Sequence, residues 1–342
     1  MKKRIDWIDT LKGLGMFFVI WGHCFSTGTP IRKYIYSFHM PLFFFLSGLT
    51  CQNNFKLNTK DFIIKKIKTL LIPYLIINIV SILIIYIFSL FGLMNFKSLT
   101  EYFLGIIYSH TRIFTMPSNH TWFITSLFLI EIMFYFIQKY IKKDWQRVSI
   151  SFILALISYI NSVLPNKLYG PWHIEAAFMG IFFYSIGYVF IKKYEKFKKI
   201  FDKKIISFIY GGVLGIIGII ACYFNIHVSM YSGLYGNIIM FLVSSLASIF
   251  GLVLFTKIFL EKSRFFKTLG TYTLFILGYH IFLVTFIKRT FPILTTGNIE
   301  IFIFACIVTA IMFILSMFVY KKCPIFIGKN VDKLFKRKPK TT

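Results

Sequence analysis

Apolar residues run along this chain in blocks of about twenty, separated by short polar stretches, as in LLIPYLIINIVSILIIYIFSLFGL. Such a block, wound as a helix rising about 1.5 Å per residue, spans the roughly 30 Å hydrocarbon core of a bilayer. Backbone polar groups in lipid are satisfied only within helices or closed barrels, and these blocks are about twice the length of a barrel strand. The pattern predicts an all-α polytopic integral membrane protein. Its ten expected transmembrane helices lie at 8–28, 34–52, 70–93, 120–139, 148–164, 173–191, 205–224, 237–257, 268–287 and 299–320.

Composition agrees: of 342 residues 57% are hydrophobic and 15% charged, against about a quarter charged in soluble proteins. The net charge of +27 raises nucleic acid as a partner. With the N-terminus inside, however, 32 of the 39 Lys and Arg fall in inner segments and seven in outer loops. That asymmetry is the positive-inside pattern, with both termini cytoplasmic, and it removes the case for nucleic acid. The opening MKKR and apolar run resemble a signal peptide, but no small-residue cleavage site follows, so the segment reads as the first span. The expected division is an integral-membrane domain over 1–320 and a basic cytoplasmic tail over 321–342, too short to fold alone. The outer segment EYFLGIIYSH is apolar but too short to cross, which suits an interfacial or re-entrant piece. No internal repeat is visible, and the five scattered cysteines form neither a disulfide framework nor a metal spacing.

Ionisable residues inside spans are costly and usually face a cavity or a partner. Lys12 and His23 stand eleven positions apart in the first span. At 100° per residue they share one helical face, roughly 16 Å apart along it. Asp9 precedes Lys12 by three, a spacing that allows an ion pair. All seven histidines fall in outer halves of spans or in outer loops: His23, His39, His120, His173 and His280 in spans, His110 and His227 in loops. The loop pair needs no special account. His120 and His173 lie near Trp122 and Trp172, which suits an aromatic belt, whereas His23 and His280 lie deeper and read as functional. Two carboxylates join them: Glu131, eleven after His120, inside the fourth span and Glu175 at the mouth of the sixth. No two histidines stand three or four apart, so no metal site is expected. In the second span, Pro41 interrupts the helix ladder, and Ser47 with Gly48 lets another helix approach closely. Lys65, Lys66 and Lys68 precede the third span, as a positive-inside anchor or as a landing site for a phosphorylated cofactor.

Five segments together resemble the membrane acyltransferase 3 family, within it the branch of fucose 4-O-acetylase-like proteins. They are RIDWIDTLKGLGMFFVIWGH, with Asp9, Lys12 and His23; FHMPLFFFLSG; KKIKTLLIPY, where Lys65 and Lys68 stand for two arginines; HTWFITSLF; and LGTYTLFILGYH, ending at His280. The resemblance runs from Arg4 to about Leu283. Lys replaces Arg at 12, 65 and 68, which keeps the charge but loses the bidentate fork suited to phosphate.

The resemblance implies an enzyme of the cell membrane, an acyl-CoA-dependent O-acyltransferase. It moves an acyl group, usually acetyl, from cytoplasmic acetyl-CoA to a hydroxyl of an extracytoplasmic or lipid-linked glycan. Lys12, Lys65 and Lys68 are then the expected CoA contacts, and His23 the general base or a covalent nucleophile. Asp9 fixes Lys12, and Glu131 or Glu175 orients an imidazole. His39, His120, Trp122, Glu175 and His280 are the expected lining of the acceptor side. Membrane lipids and a sugar acceptor are the expected partners, in a bacterial cell whose AT-rich coding fits the Lys, Ile, Phe and Asn usage, and a homo-oligomer is compatible with the sequence. The alternative is a transporter or flippase of a glycan precursor or small solute, against which stands the absence of visible repeats.

Overall fold

The computed structural model describes residues 5–327 apart from 27 and 202. They form α1 (Asp6–Cys24), α2 (Pro30–Thr50), α3 (Thr59–Lys66), α4 (Ile72–Leu90), α5 (Leu99–Tyr108), α6 (Trp122–Tyr140), α7 (Asp144–Val163), α8 (Ile174–Phe201), α9 (Lys204–Tyr223), α10 (Ile238–Phe255), α11 (Arg264–Thr271), α12 (Thr273–Thr290) and α13 (Asn298–Lys322). No strand occurs among the described residues. Each of the ten expected spans has its long helix, and the short apolar outer segment is α5, ten residues ended by Ser109 in a left-handed conformation. The basic residues from Lys333 onward lie outside the described residues.

Eight helical segments are long and apolar enough to cross a membrane. α1 and α2, of 19 and 21 residues, fall outside that set. Asp9, Lys12 and His23 ride on one and Arg32, Lys33 and His39 on the other, and this polar load lowers their apolarity. The fold answers by burying them. α1 packs against α2, α11, α12 and α13, while α2 packs against α8 and α10. α4, α7, α9 and α13 form the periphery and expose large side chains such as Leu83, Ile153, Ile216 and Ile314. Apolar surface on that scale is what lipid tails cover.

Two apolar cores meet along α1. One gathers Phe44, Phe45, Ile130, Phe134, Phe183 and Ile249 from α2, α6, α8 and α10, and reaches α1 at Trp7, Leu11 and Leu14. The other gathers Ile77, Ile276, Phe304 and Val308 from α4, α12 and α13, and reaches α1 at Met16, Val19 and Ile20. The seam between the cores is where the polar residues of α1 sit.

Close helix crossings hold this arrangement. A Cβ at Gly13 would lie 2.0 Å from the Phe266 carbonyl oxygen, and one at Gly270 would lie 1.8 Å from that of Asp9. The same reciprocity joins α2 to α8, where a Cβ at Gly48 would meet the Tyr184 oxygen at 2.0 Å and one at Gly187 the Phe45 oxygen at 2.1 Å. Such backbone contact is the packing that small residues permit in membranes, and Gly48 plays the part expected of it. Pro41 is also accommodated. It cannot donate to the carbonyl of Ser37, four residues back, and Ser245 Oγ donates to that carbonyl instead at 2.7 Å. α3 continues through a wide turn, Ile67–Leu71, into α4, so the third span is the upper part of a 32-residue helical run.

Gly48→Ala should therefore lower the thermal stability of the detergent-solubilised protein, by about 1–3 kcal/mol, the range for overpacking. Gly212→Ala, whose Cβ meets nothing within 4 Å, should leave it unchanged or slightly raised. Equal melting temperatures for the two variants would contradict this account of the α2–α8 crossing.

Candidate active site

Two cavities lie end to end along α1. The first, of about 380 Å³, is lined by His23 from the last turn of α1, Arg32, Tyr36 and His39 from α2, and His120 and Trp122 at the start of α6. A loop carrying His227, Tyr231 and Ser232 closes its far side. The second, of about 340 Å³, is lined by Asp9, Lys12 and Met16, with Ser47, Thr69, Phe123 and Thr273. Val19, Met40 and Leu277 line both and form the wall between them. The eleven-residue spacing thus sets Lys12 in one cavity and His23 in the other along one face of α1. Asp9 Oδ1 lies 3.7 Å from Lys12 Nζ, the i, i+3 pair expected from the sequence.

Around His23 the fold assembles imidazoles from three helices. Ring centroids of His23 and His120 are 4.4 Å apart, those of His23 and His280 5.2 Å, and those of His120 and His280 5.0 Å. One ring nitrogen from each of these three lies within 4.8 Å of the others, so the trio could hold a metal ion. The expectation of no metal rested on spacing along a single helix, and this trio is not of that kind. His280 is fully buried behind the other two. In His39 and His280, Nδ1 lies 2.8 and 2.7 Å from the carbonyls of Ile35 and Ile276. A carbonyl only accepts, so Nδ1 carries the proton in both and Nε2 bears the lone pair. The carbonyl of His23 accepts from Lys288 Nζ at 2.9 Å.

His23 itself is oriented by no carboxylate. Its Nδ1 lies 3.2 Å from the Tyr36 hydroxyl, which accepts from Arg32 Nη2 at 3.2 Å. Arg32, Tyr36 and His39 follow at intervals of four and three on α2, a helical stripe legible in IRKYIYSFH. That spacing was the signal for two residues the sequence reading left out.

Both carboxylates expected near an imidazole of the site are engaged elsewhere. Glu131 Oε1 lies 2.8 Å from Lys66 Nζ, and its Oε2 accepts from the Tyr184 hydroxyl at 2.9 Å. All three residues are buried. The shared face with His120 carries Glu131 about three turns down α6, to the level of α3, where a buried lysine needs a counter-charge. Glu175 is likewise not on the acceptor cavity. Its Oε1 lies 2.8 Å from His110 Nε2 and 3.4 Å from His173 Nδ1, one layer behind Trp122. His110, read from sequence as an ordinary loop histidine, is fully buried. It stacks on His173 at 3.9 Å and 18°, and its Nδ1 accepts from the Arg112 amide. Near-parallel rings aim their in-plane lone pairs alongside each other, which suits stacking on a shared carboxylate better than a shared metal. Ser109, Trp172 and His173, the non-glycine residues with positive φ among those described, all belong to this junction. The junction ties the loops before α6 and α8 together beside the cavity.

The basic residues before α4 divide three ways. Lys66 pairs with Glu131, Lys65 donates to Asn54 Oδ1 at 2.8 Å, and Lys68 is exposed one residue before Thr69 of the second cavity. Lys12 is thus the one lysine among the expected cofactor contacts that lines either cavity.

Glu131→Gln should destabilise the protein by about 3–5 kcal/mol, because it leaves a buried ammonium uncompensated. Removing both charges, with Lys66→Met and Glu131→Leu together, should recover much of that loss. Thermal unfolding in detergent reads both, and a double variant no more stable than the single one would contradict the pairing.

Residues 5–320 match the family model described as an acyltransferase domain, that of acyltransferase 3. The match speaks for the family and not for its fucose 4-O-acetylase-like branch. No curated protein and no solved structure matches the chain. The match takes in every helix that builds the two cavities, and it settles the choice between an enzyme and a carrier: the chain belongs to the membrane acyltransferase 3 family, a multi-pass membrane acyltransferase.

Proposed function

We propose that this protein is an acetyl-CoA-dependent O-acetyltransferase of the plasma membrane. In this reading both termini are cytoplasmic, the donor enters from inside, and the acceptor is a hydroxyl of a glycan or lipid-linked sugar on the outer side. The observation that carries the reading is the pair of cavities that share Val19, Met40 and Leu277 in their linings, with Lys12 in one and His23 in the other. The charge asymmetry of the loops supports the direction, since a polyanionic donor is drawn to the basic face.

Lys12 neutralises a donor phosphate at the inner mouth, held in place by Asp9, while Lys65 and Lys68 add positive potential there. The pantetheine arm follows the face of α1 past Met16 and brings the thioester to the wall at Val19. Met40 and Leu277 are unbranched at Cβ, and Met40 in particular has the torsional freedom to move aside. On the outer side, Nδ1–H of His23 donates to Tyr36, which leaves Nε2 to accept the proton of the sugar hydroxyl. The hydroxyl oxygen attacks the thioester carbonyl carbon. A C–O bond forms, the C–S bond breaks, and the departing thiolate takes the proton back from the imidazolium. Tyr36 here does the orienting that a carboxylate does in a triad. His120 and Trp122 border the acceptor, and His39 offers its Nε2 to a second hydroxyl.

Purified protein in proteoliposomes, given radiolabelled acetyl-CoA and surface glycan, should transfer label to the glycan. His23→Ala should lower the rate by about 10²–10⁴-fold with no change in protein level or melting temperature. Near-normal transfer by this variant would sink the assignment of the base. Lys12→Ala should raise KM for acetyl-CoA at least tenfold, a change of about 1.4 kcal/mol, and Lys12→Arg should restore most of it. Equal losses in both lysine variants would argue against a phosphate contact.

A further inference from the structure

Among the described residues, no aspartate or glutamate lines the outer cavity. Apart from the phenols of Tyr36 and Tyr231, its ionisable lining is Arg32, His23, His39, His120 and His227. Arg32 is placed against two electrostatic trends. It is one of seven basic residues on the outer side in the topology read from the sequence, where the positive-inside pattern disfavours them. It also stands in the first turn of α2, whose macrodipole already presents positive charge there. No acidic residue occupies that turn, and no side chain caps it.

No carboxylate among the described residues pairs with Arg32. The other basic side chains of this rim each donate to a backbone carbonyl: Lys33 to that of Tyr223, Lys288 to that of His23 and Arg289 to that of Gly92. Arg32 instead spreads over the Tyr36 ring, its Cζ 4.7 Å from the centroid, and donates through Nη2 to the Tyr36 hydroxyl. Its Nε is buried and makes no hydrogen bond within the protein. A guanidinium offers five N–H donors in a rigid planar fork; with Nε buried and one Nη2 donor on Tyr36, the two on Nη1 and the second on Nη2 remain for a ligand.

We infer that the acceptor is an acidic sugar, whose carboxylate or phosphate binds Arg32 while a hydroxyl of the same or the adjacent residue meets His23. Two hydrogen bonds, through Tyr36, link Arg32 to His23, which is the reach of a single sugar unit. Trp122 and Tyr231 give the cavity flat apolar faces for pyranose rings. An Arg fork binds a carboxylate or phosphate through paired charge-assisted hydrogen bonds. A neutral acceptor leaves the guanidinium uncompensated, which makes Arg32 a specificity residue as well as a contact. This inference rests on the acetyltransferase reading and on His23 as its base.

The test uses surface glycan from cells lacking the gene, so that the acceptor hydroxyls are free. Full-length protein in proteoliposomes receives radiolabelled acetyl-CoA and the glycan in three forms: native, carboxyl-reduced, and dephosphorylated with aqueous hydrogen fluoride. Transfer should fall at least tenfold after one of the two treatments, and which one identifies the anion. Arg32→Gln should abolish the discrimination by raising KM for the native glycan to that for the neutralised form, and Arg32→Lys should keep part of it, at unchanged melting temperature. Equal transfer to all three forms, or preference surviving in Arg32→Gln, overturns the inference and leaves the acetyltransferase standing. Absence of transfer to any form counts against the acetyltransferase reading instead. Calorimetric binding of glucuronate and of inorganic phosphate then decides the anion site alone. Binding of either probe to the wild type and not to Arg32→Gln supports the site, and binding of neither overturns it.

Discussion

The cost of placing ionisable groups in hydrocarbon governs this molecule. Asp9, Lys12 and His23 cannot face lipid on α1, and Arg32 and His39 cannot on α2. These helices therefore need other helices around them, and the ring of apolar helices exists to supply that. The glycine crossings follow from the same demand. α1 meets α11, and α2 meets α8, at backbone distance, which holds the polar helices inward with little side-chain bulk between. Without an interior for α1 and α2 there would be no cavity, and without the polar residues there would be no reason for one.

Acidic side chains show how tightly charge is allocated. Glu131 is committed to Lys66, Asp9 to Lys12, and Glu175 to two buried histidines. Glu131 and Glu175 sit where a cation or an imidazole would otherwise be buried alone. The outer cavity is left with bases and aromatic rings and no acid. That one-sidedness follows from where the acids were needed for folding as much as from what the cavity binds.

Much of this was legible along the chain, and the boundary of legibility has a physical basis. Helical periodicity is local, so the ten long helices, the shared face of Lys12 and His23, the Asp9–Lys12 pair and the close approach at Gly48 could all be read from spacing. Partners chosen in three dimensions could not. Glu131 lies sixty-five residues from Lys66, and Glu175 as far from His110; no periodicity relates either pair. Both carboxylates looked available for an imidazole because nothing along the chain marks the buried cation and histidines competing for them. Arg32 and Tyr36 are a different case. Their i, i+4 spacing was visible, but outer basic residues at a helix start resemble ordinary interfacial anchors until the cavity beneath them is seen.

The wall of Val19, Met40 and Leu277 bears on the energetics of the cell as well as on the chemistry. In the proposed reading the two cavities face opposite sides of a bilayer, and if joined they would form a conduit for water and protons through which the transmembrane potential would drain. Three apolar side chains, common to both linings, stand between them. They are bulky enough to exclude a hydrated ion and slender enough to yield to a thioester. In the reaction proposed for this protein, an acetyl group crosses where a proton current cannot. On that proposal the wall insulates as well as admits, which sets a limit on how polar the path between donor and acceptor can become.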